Sequence, residues 1–140
     1  MPRVLAIDYG TVRIGLAQSD PLGILASPLE TLRWNGRDDS YVLEYIAKLC
    51  AEGDIAEILI GKPLRTDGRS SELAQAAQDF GRRLAERTGL PLRSWDERYS
   101  SVLANRALNQ MGVKAPQKRQ MVDQVAAQII LQEYLDQRRG

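Results

Sequence analysis

One carboxylate near the start of the chain is placed where it can do chemistry. Asp8 closes the apolar run at residues 4–7 and precedes a turn at Gly10 that leads into a second apolar run. A strand interior disfavours Asp, and burying its charge without a partner is costly. Asp8 therefore needs a metal ion, a turn amide or a cation. A turn-stabilising carboxylate that accepts amides from Gly10 or Thr11 is the alternative to a functional role.

A second candidate acid follows the strand predicted at residues 92–95. Strand ends in α/β sheets open onto the ligand crevice, and Glu97 stands just past this one. We interpret the adjacent Asp96 as a surface residue. An ordinary surface ion pair with Arg98 is the alternative to a catalytic role for Glu97.

A third candidate acid lies on the predicted last helix. Asp123 shares one helical face with three apolar residues, so its carboxylate points along an apolar stripe. These residues are Ala126, Ala127 and Ile130. The two alanines are small enough to let the helix lie close to a sheet, which would bring Asp123 toward Asp8 and Glu97. Capping of the helix from its first turn is the structural alternative for Asp123.

Three converging carboxylates would form a site of hard oxygen ligands. The chain contains no histidine, which excludes an imidazole base, a Ser-His triad and a His-ligated zinc site. Oxygen ligands suit Mg²⁺ or Mn²⁺, and two such ions about 3.5–4 Å apart hydrolyse phosphodiesters without a protein nucleophile. One ion would activate water and the other would stabilise the leaving oxygen. Repulsion among the acids predicts that metal binding stabilises the fold.

Length and composition limit the architecture. The 140 residues fit one domain spanning residues 1–140, and 44% hydrophobic content supplies one core. No apolar run approaches the roughly 20 residues of a membrane span. The short segment before the first strand and the lone Cys50 predict a cytoplasmic protein without an internal disulfide, and Cys50 reads as a small buried hydrophobe. The net charge of +1 is a mild argument against a nucleic-acid binder.

Hydrophobic periodicity predicts the element order βββαβαβαα. Three antiparallel strands followed by two parallel strands would form a mixed sheet flanked by helices. The predicted strands are residues 3–9, 13–19, 26–33, 56–61 and 92–95. The predicted helices begin at residue 39 or 40, at 70 or 71, at 100 and at about 118, and they end near residues 52, 88, 111 and 138.

Basic side chains in loops or near element ends are candidates to contact phosphates. The predicted nucleic-acid-binding residues are Arg13, Lys62, Arg98 and Lys118. Three arginines of the second helix are interpreted instead as a solvated face, namely Arg82, Arg83 and Arg87. Asp20 is interpreted as the start of the turn at residues 20–23. Exposed apolar residues in the region 102–111 are candidates for a homodimer interface.

Four ordered motifs carry a family resemblance over nearly the whole chain. They are Asp8-Tyr9-Gly10 with Arg13-Ile14-Gly15 and Ser19-Asp20, then Gly61-Lys62-Pro63-Leu64 with Asp67-Gly68, then Asp96-Glu97-Arg98, and finally Lys118 with Asp123. The sequence resembles the YqgF/RuvX family, whose members are described as pre-16S rRNA nucleases and as Holliday-junction-resolvase-like proteins. The resemblance implies an RNase H-like fold and catalytic, metal-binding roles for Asp8, Glu97 and Asp123.

The predicted function is metal-dependent endonucleolytic cleavage of structured nucleic acid. The substrate is either the 5′ end of pre-16S rRNA or a Holliday junction, and a two-fold symmetric junction would favour a homodimer. A typical junction resolvase carries an acid after its fourth strand, whereas here that strand ends in Gly61-Lys62. Resolvase chemistry is therefore transferred less securely than the fold.

Two other classes of protein remain open on the sequence. In a nucleotide-binding module derived from the actin-like ATPases, Asp8-Tyr9-Gly10-Thr11 would form the phosphate loop. That architecture uses two such domains closing on a nucleotide, which the length of this chain disfavours. In a non-catalytic nucleic-acid-binding assembly factor, the acids would be vestigial and binding would survive Asp8→Asn.

Overall fold

The computed structural model describes residues 3–63, 68–97 and 100–139. Its elements follow the predicted order βββαβαβαα. The strands are β1 (Arg3–Tyr9), β2 (Arg13–Ser19), β3 (Ala26–Arg33), β4 (Ile55–Pro63) and β5 (Leu92–Glu97). The helices are α1 (Ser40–Glu52), α2 (Gly68–Thr88), α3 (Ser100–Gln110) and α4 (Ala115–Arg139). No helix in the described part of the chain is long and apolar enough to cross a membrane.

The five strands form one mixed sheet in the order β3-β2-β1-β4-β5. β1 pairs antiparallel with β2, and β2 pairs antiparallel with β3. β4 lies parallel to both β1 and β5, so the chain crosses over through helices between these strands. This topology confirms the predicted meander followed by parallel strands.

Each face of the sheet packs against different helices because side chains alternate along a strand. On one face, Leu5 and Ile7 of β1 belong to a cluster that also contains buried residues of α1 and α2. On the other face, Val4 and Ala6 pack with α4 through Leu131. Cys50 is buried in the first cluster, as predicted, and burial raises the pKa of its thiol to about 11.

Several predicted boundaries are wrong. β5 continues through Glu97 because it pairs with β4 along its whole length, from Leu92 opposite Ile58 to Glu97 opposite Pro63. α2 begins at Gly68 instead of being capped at residue 70 or 71. α4 begins at Ala115, three residues before the predicted start. The predicted loop at residues 62–70 is shorter than expected, because β4 continues through Pro63 and α2 begins at Gly68, and residues 64–67 lie outside the described residues.

Candidate active site

The carboxyl ends of the two outermost parallel strands meet at one edge of the sheet. Asp8 is the second-to-last residue of β1, and Glu97 is the last residue of β5. Only β4 separates these strands, so their backbones lie about 10 Å apart at two strand spacings. Asp8 alternates with Val4 and Ala6, which places it on the face covered by α4, and only 9% of it is exposed.

Gly15 brings the backbone of α4 to this part of the sheet. It lies opposite Asp8 in the antiparallel register of β1 and β2. A Cβ atom at Gly15 would stand 2.1 Å from the carbonyl oxygen of Asp123 and 2.7 Å from the amide nitrogen of Gln124. Only a glycine permits this approach. Asp8 and Asp123 therefore flank one glycine, one as its partner across the strand pair and the other as its neighbour on the helix.

Asp123 lies inside α4 rather than at its start. The helix begins at Ala115, so Asp123 is the ninth residue and is too far from the first turn to cap it. Its neighbours Ala126, Ala127 and Ile130 are fully buried, which confirms the predicted apolar stripe. The helix-capping alternative for Asp123 is therefore wrong.

Arg13 forms an ion pair with Asp123. The Nε atom of Arg13 lies 2.8 Å from Oδ2 of Asp123, and the two side chains are 35% and 18% exposed. Oδ2 is nevertheless buried without a well-directed hydrogen bond from the described residues. Burial raises the pKa of the Asp123 carboxyl, and the positive charge of Arg13 offsets only part of that effect. A metal ion near Oδ2 would add to the favourable interaction that Arg13 provides.

Three glutamines spaced four residues apart hold α4 against the sheet. The Gln124 carbonyl oxygen accepts a hydrogen bond of 3.2 Å from the Thr31 hydroxyl of β3. Gln128 donates to the Ala26 carbonyl oxygen at 3.1 Å, and Gln132 accepts from the Ala26 amide at 2.9 Å. These bonds fix the rotation and position of α4 along β3. The sequence analysis missed this ladder, although the spacing of four residues places the three glutamines on one helical face.

Aromatic residues on the opposite face of the sheet stabilise the turn that follows Asp8. The indole of Trp34 donates a 2.8 Å hydrogen bond to the carbonyl oxygen of Gly10. The Tyr9 ring packs between Trp34 and Phe80, and its hydroxyl donates to Asp39 at 3.1 Å. Asp39 caps α1 by position but makes no side-chain cap hydrogen bond. Its carboxylate is bound by other residues instead.

Asp39 accepts two hydrogen bonds from Arg83 of α2, at 2.7 and 2.9 Å. The prediction of a solvated arginine face on α2 is therefore wrong for Arg83. Arg82 and Arg87 are exposed, as predicted, at 60% and 56% of their side chains. Arg82 has its partners Asp79 and Glu86 on its own helix, and Arg87 binds Glu44 of α1 at 2.9 Å. The wrong assignment of Arg83 arises because α1 packs beside this face of α2.

Four predicted site residues have side chains outside the described part of the chain. Glu97, Lys62 and Lys118 are placed only by their backbones, in β5, β4 and α4, and Arg98 is not described at all. The described side chains contain no group of three or more His, Cys, Asp or Glu residues positioned to hold a metal ion. The structure thus places the backbone of Asp123 against Gly15, the strand partner of Asp8, and pairs Asp123 with Arg13. The convergence of the three carboxylates stays a prediction.

Asp20 starts the predicted turn at residues 20–23, since its carbonyl oxygen accepts the Gly23 amide at 3.1 Å. Its carboxylate also accepts the amides of Ile24 and Leu25.

Among the apolar side chains that the structure describes between residues 102 and 111, Ala104 and Leu108 are buried, and Met111 is 71% exposed. The homodimer interface in this region stays a prediction.

Comparison with known proteins agrees with this geometry. The protein-family model described as "RuvX: Holliday junction resolvase" matches residues 2–137. The chain belongs to the RuvX family. A Koribacter versatilis relative is 42% identical over 137 residues, which cover 97% of this chain and 88% of the relative. A Mycobacterium ulcerans relative is 46% identical over 138 residues, with coverage of 98% and 80%. Both relatives are named "Putative pre-16S rRNA nuclease".

Solved structures with little sequence similarity share the fold of this RuvX family member. Thermus thermophilus RuvC, solved in complex with a Holliday junction substrate, superposes with a TM-score of 0.65 at 14% identity and covers 100% of this chain and 97% of its own. The Fowlpox virus resolvase, solved with Holliday junction DNA, gives a TM-score of 0.57 at 7% identity. The mixed sheet flanked by helices is therefore a RuvC-like RNase H fold.

Proposed function

We propose that this RuvX family member is a divalent-metal-dependent endonuclease that hydrolyses phosphodiester bonds in structured nucleic acid. The observation that carries the proposal is the close approach of the Asp123 backbone to Gly15, the strand partner of Asp8, at the end of the sheet where β5 ends in Glu97. We propose Asp8, Glu97 and Asp123 as the catalytic acids. The names of its relatives support a nuclease, and the fold supports active-site acids at this edge.

The carboxylate oxygens at this end of the sheet are suitable ligands for two Mg²⁺ or Mn²⁺ ions. The acids supply hard oxygen ligands, and the buried Oδ2 of Asp123 lacks a well-directed hydrogen bond from the described residues. We propose that Asp8, Glu97 and Asp123 hold the ions. Bound there, the ions would lower the pKa of the attacking water and neutralise charge at the leaving oxygen.

The described residues of the chain would contribute position and charge. Gly15 lets the α4 backbone lie against β2, and we propose that this approach brings the Asp123 carboxylate toward Asp8. The positive charge of Arg13 favours the ionised form of Asp123, and we propose that its remaining guanidinium donors bind a phosphate oxygen of the substrate. We propose Lys62, Arg98 and Lys118 as further phosphate contacts because their positions in the sequence flank the same edge.

The preferred substrate in this proposal is the 5′ region of pre-16S rRNA. Relatives that are 42–46% identical over nearly the whole chain are named for pre-16S rRNA nuclease activity. Holliday junction cleavage is the second candidate because the family model is described as a resolvase. Junction cleavage would require a homodimer that presents two sites. We further propose one domain spanning residues 1–140 and a cytoplasmic location, where rRNA precursors and a free Cys50 thiol would coexist.

The test compares cleavage of a 5′-extended 16S precursor and of a four-way DNA junction, each with Mg²⁺ or Mn²⁺. Asp8→Asn should reduce cleavage by more than the roughly 100-fold that loss of an outer-shell partner costs. Asp79→Asn is the matched control, since Asp79 is exposed on α2 at the opposite face of the sheet. It should cleave like the unmodified protein.

The pattern of cleavage identifies the substrate. Cuts confined to the precursor would support rRNA processing, and symmetric cuts in the junction would support a resolvase. Binding of either substrate without any cleavage, or equal cleavage by Asp8→Asn, would overturn the proposed function. The first of these outcomes would favour an assembly factor, and micromolar ATP binding without cleavage would favour the nucleotide-binding module.

A further inference from the structure

A basic concavity lies at the edge of the sheet opposite the candidate active site. It has a volume of about 430 Å³, and its lining includes Arg3, Arg93, Arg138, Glu57 and Tyr134. Arg3 opens β1, Glu57 lies near the start of β4, and Arg93 lies near the start of β5. These residues belong to strand starts, whereas the candidate acids Asp8 and Glu97 belong to strand ends. None of the lining residues has a role in the proposed cleavage.

The arginines of this concavity are arranged around one acid. Glu57 is 15% exposed, and its Oε1 atom lies 3.0 Å from a terminal nitrogen of Arg138. Its Oε2 atom lies 3.4 Å from Nε of Arg93 and accepts a hydrogen bond from the Tyr134 hydroxyl. The Arg138 guanidinium also lies over the Tyr134 ring, 5.6 Å from its centroid. Glu57 and Tyr134 therefore hold two guanidinium groups in place.

The charge of the concavity favours an anion. Three arginines line it against the single carboxylate of Glu57, so positive charge is in excess. Arg3 directs one terminal nitrogen to the Ser19 carbonyl oxygen at 3.2 Å. A guanidinium carries five N–H donors, so these contacts use a minority of the donors of each arginine. Planar guanidinium forks match the oxygens of phosphate groups.

We propose that this arginine pocket binds a phosphate group. The choice of phosphate over a carboxylate rests on the proposed function, which makes nucleic acid the anion this protein meets. Two sources share that chemistry, a strand that leaves the active site and a free mononucleotide. Arg3 and Asp8 are five residues apart on β1, about 16 Å at the rise of a strand. A stacked strand needs about five nucleotides to cover that distance.

Edge strand β5 connects the pocket with the candidate active site. Arg93 lines the pocket, Trp95 follows two residues later, and Glu97 ends the strand. The Trp95 ring packs edge-on against Tyr134, with centroids 5.6 Å apart, and is only partly buried. Aromatic rings at such positions can stack on bases of a single strand. The strand source is therefore consistent with the side chains along this edge.

The test measures binding of a labelled single-stranded RNA of about ten nucleotides without divalent metal, over a series of salt concentrations. The double variant Arg93→Gln/Arg138→Gln should bind at least about 10-fold more weakly, since each charged hydrogen bond contributes substantially to affinity. Its plot of log affinity against log salt should be shallower by about 1.4, or 0.7 for each lost phosphate contact on a single strand. The control Arg82→Gln/Arg87→Gln removes the same charge from α2.

Two shorter ligands, a trinucleotide and AMP, identify the source of the phosphate group. If the pocket variant binds the ten-nucleotide RNA more weakly but binds the trinucleotide normally, the phosphate belongs to a strand that leaves the active site. If calorimetry shows that the pocket variant binds AMP more weakly, the phosphate belongs to a free mononucleotide. An equal loss in the α2 control, or no loss in a folded pocket variant, overturns the proposal. Cleavage assays on the same variants are independent of this result. A protein that cleaves but has no pocket binding loses only this inference, and one that binds here but never cleaves loses only the proposed function.

Discussion

Gly15→Ala tests whether the contact between β2 and α4 sets the position of Asp123. The added methyl group would lie 2.1 Å from the Asp123 carbonyl oxygen and 2.2 Å from its carbonyl carbon. An ordinary contact begins at about 3.4 Å, so the helix backbone must move by about 1.3 Å. Both atoms belong to the helix backbone, so no side-chain rotation can relieve the clash.

The displacement predicts two measurable losses. Overpacking of this kind costs roughly 1–3 kcal/mol, and each kcal/mol lowers the Tm of a domain of this size by about 4 °C. A displacement of about 1 Å at a catalytic group can cost roughly 100-fold in rate. We therefore expect Gly15→Ala to lower the Tm by roughly 4–12 °C and kcat/KM by about 100-fold. Calorimetry and single-substrate cleavage kinetics below the Tm measure the two effects separately.

Gly81→Ala is the matched control for this prediction. A Cβ atom at Gly81 in α2 would meet only side-chain atoms, the nearest being Leu92 Cδ1 at 3.2 Å. Alanine also raises helix propensity by up to about 1 kcal/mol. This variant should keep its activity without a fall in Tm. If Gly15→Ala has unchanged kcat/KM, whatever its Tm, then the close approach at Gly15 does not position Asp123 for catalysis.

Two further predictions concern buried charge. Without metal, Asp123→Asn should raise the Tm at pH 7, because burial raises the pKa of Asp123 and the ionised carboxylate therefore destabilises the fold. Thermal melts should show that this gain in Tm vanishes below the ordinary pKa of 3.8. Added Mn²⁺ should raise the Tm of the unmodified protein and not that of the variant. Asp39→Asn should lower stability at pH 7, because the hydrogen bonds from Arg83 lower the pKa of Asp39. Urea titrations should show that difference present above pH 3.8 and lost as the pH falls through the lower folded pKa; a constant difference would refute the role of the Asp39 charge.

The sequence predicts the fold well because apolar periodicity records which face of each element is buried. Apolar periodicity does not predict where a helix or strand begins and ends, because contacts with other elements determine those boundaries. Pro116 suggests a loop, yet proline is tolerated in the first turn of a helix, so α4 starts at Ala115 and Asp123 moves well inside it. Glu97 has low strand propensity, yet its pairing with Pro63 of β4 extends β5.

The site is predicted less completely than the fold. Asp8 and Asp123 stand out because acids are rare in apolar stripes. The contact between β2 and α4 depends on Gly15, and no local pattern reveals which helix a strand glycine will touch. The bond from Arg83 to Asp39 likewise joins residues 44 positions apart, which periodicity within one helix does not detect.

The glutamine ladder also affects how the molecule behaves beside its own copies. β3 is an outer strand of the sheet, and exposed outer strands invite pairing with another chain. At Ala26, however, the amide and the carbonyl oxygen are both hydrogen-bonded to glutamines of α4. A strand from another molecule would have to displace Gln128 and Gln132 before it could extend the sheet there. The glutamines that orient α4 thus also occupy the backbone groups that another strand would need at Ala26.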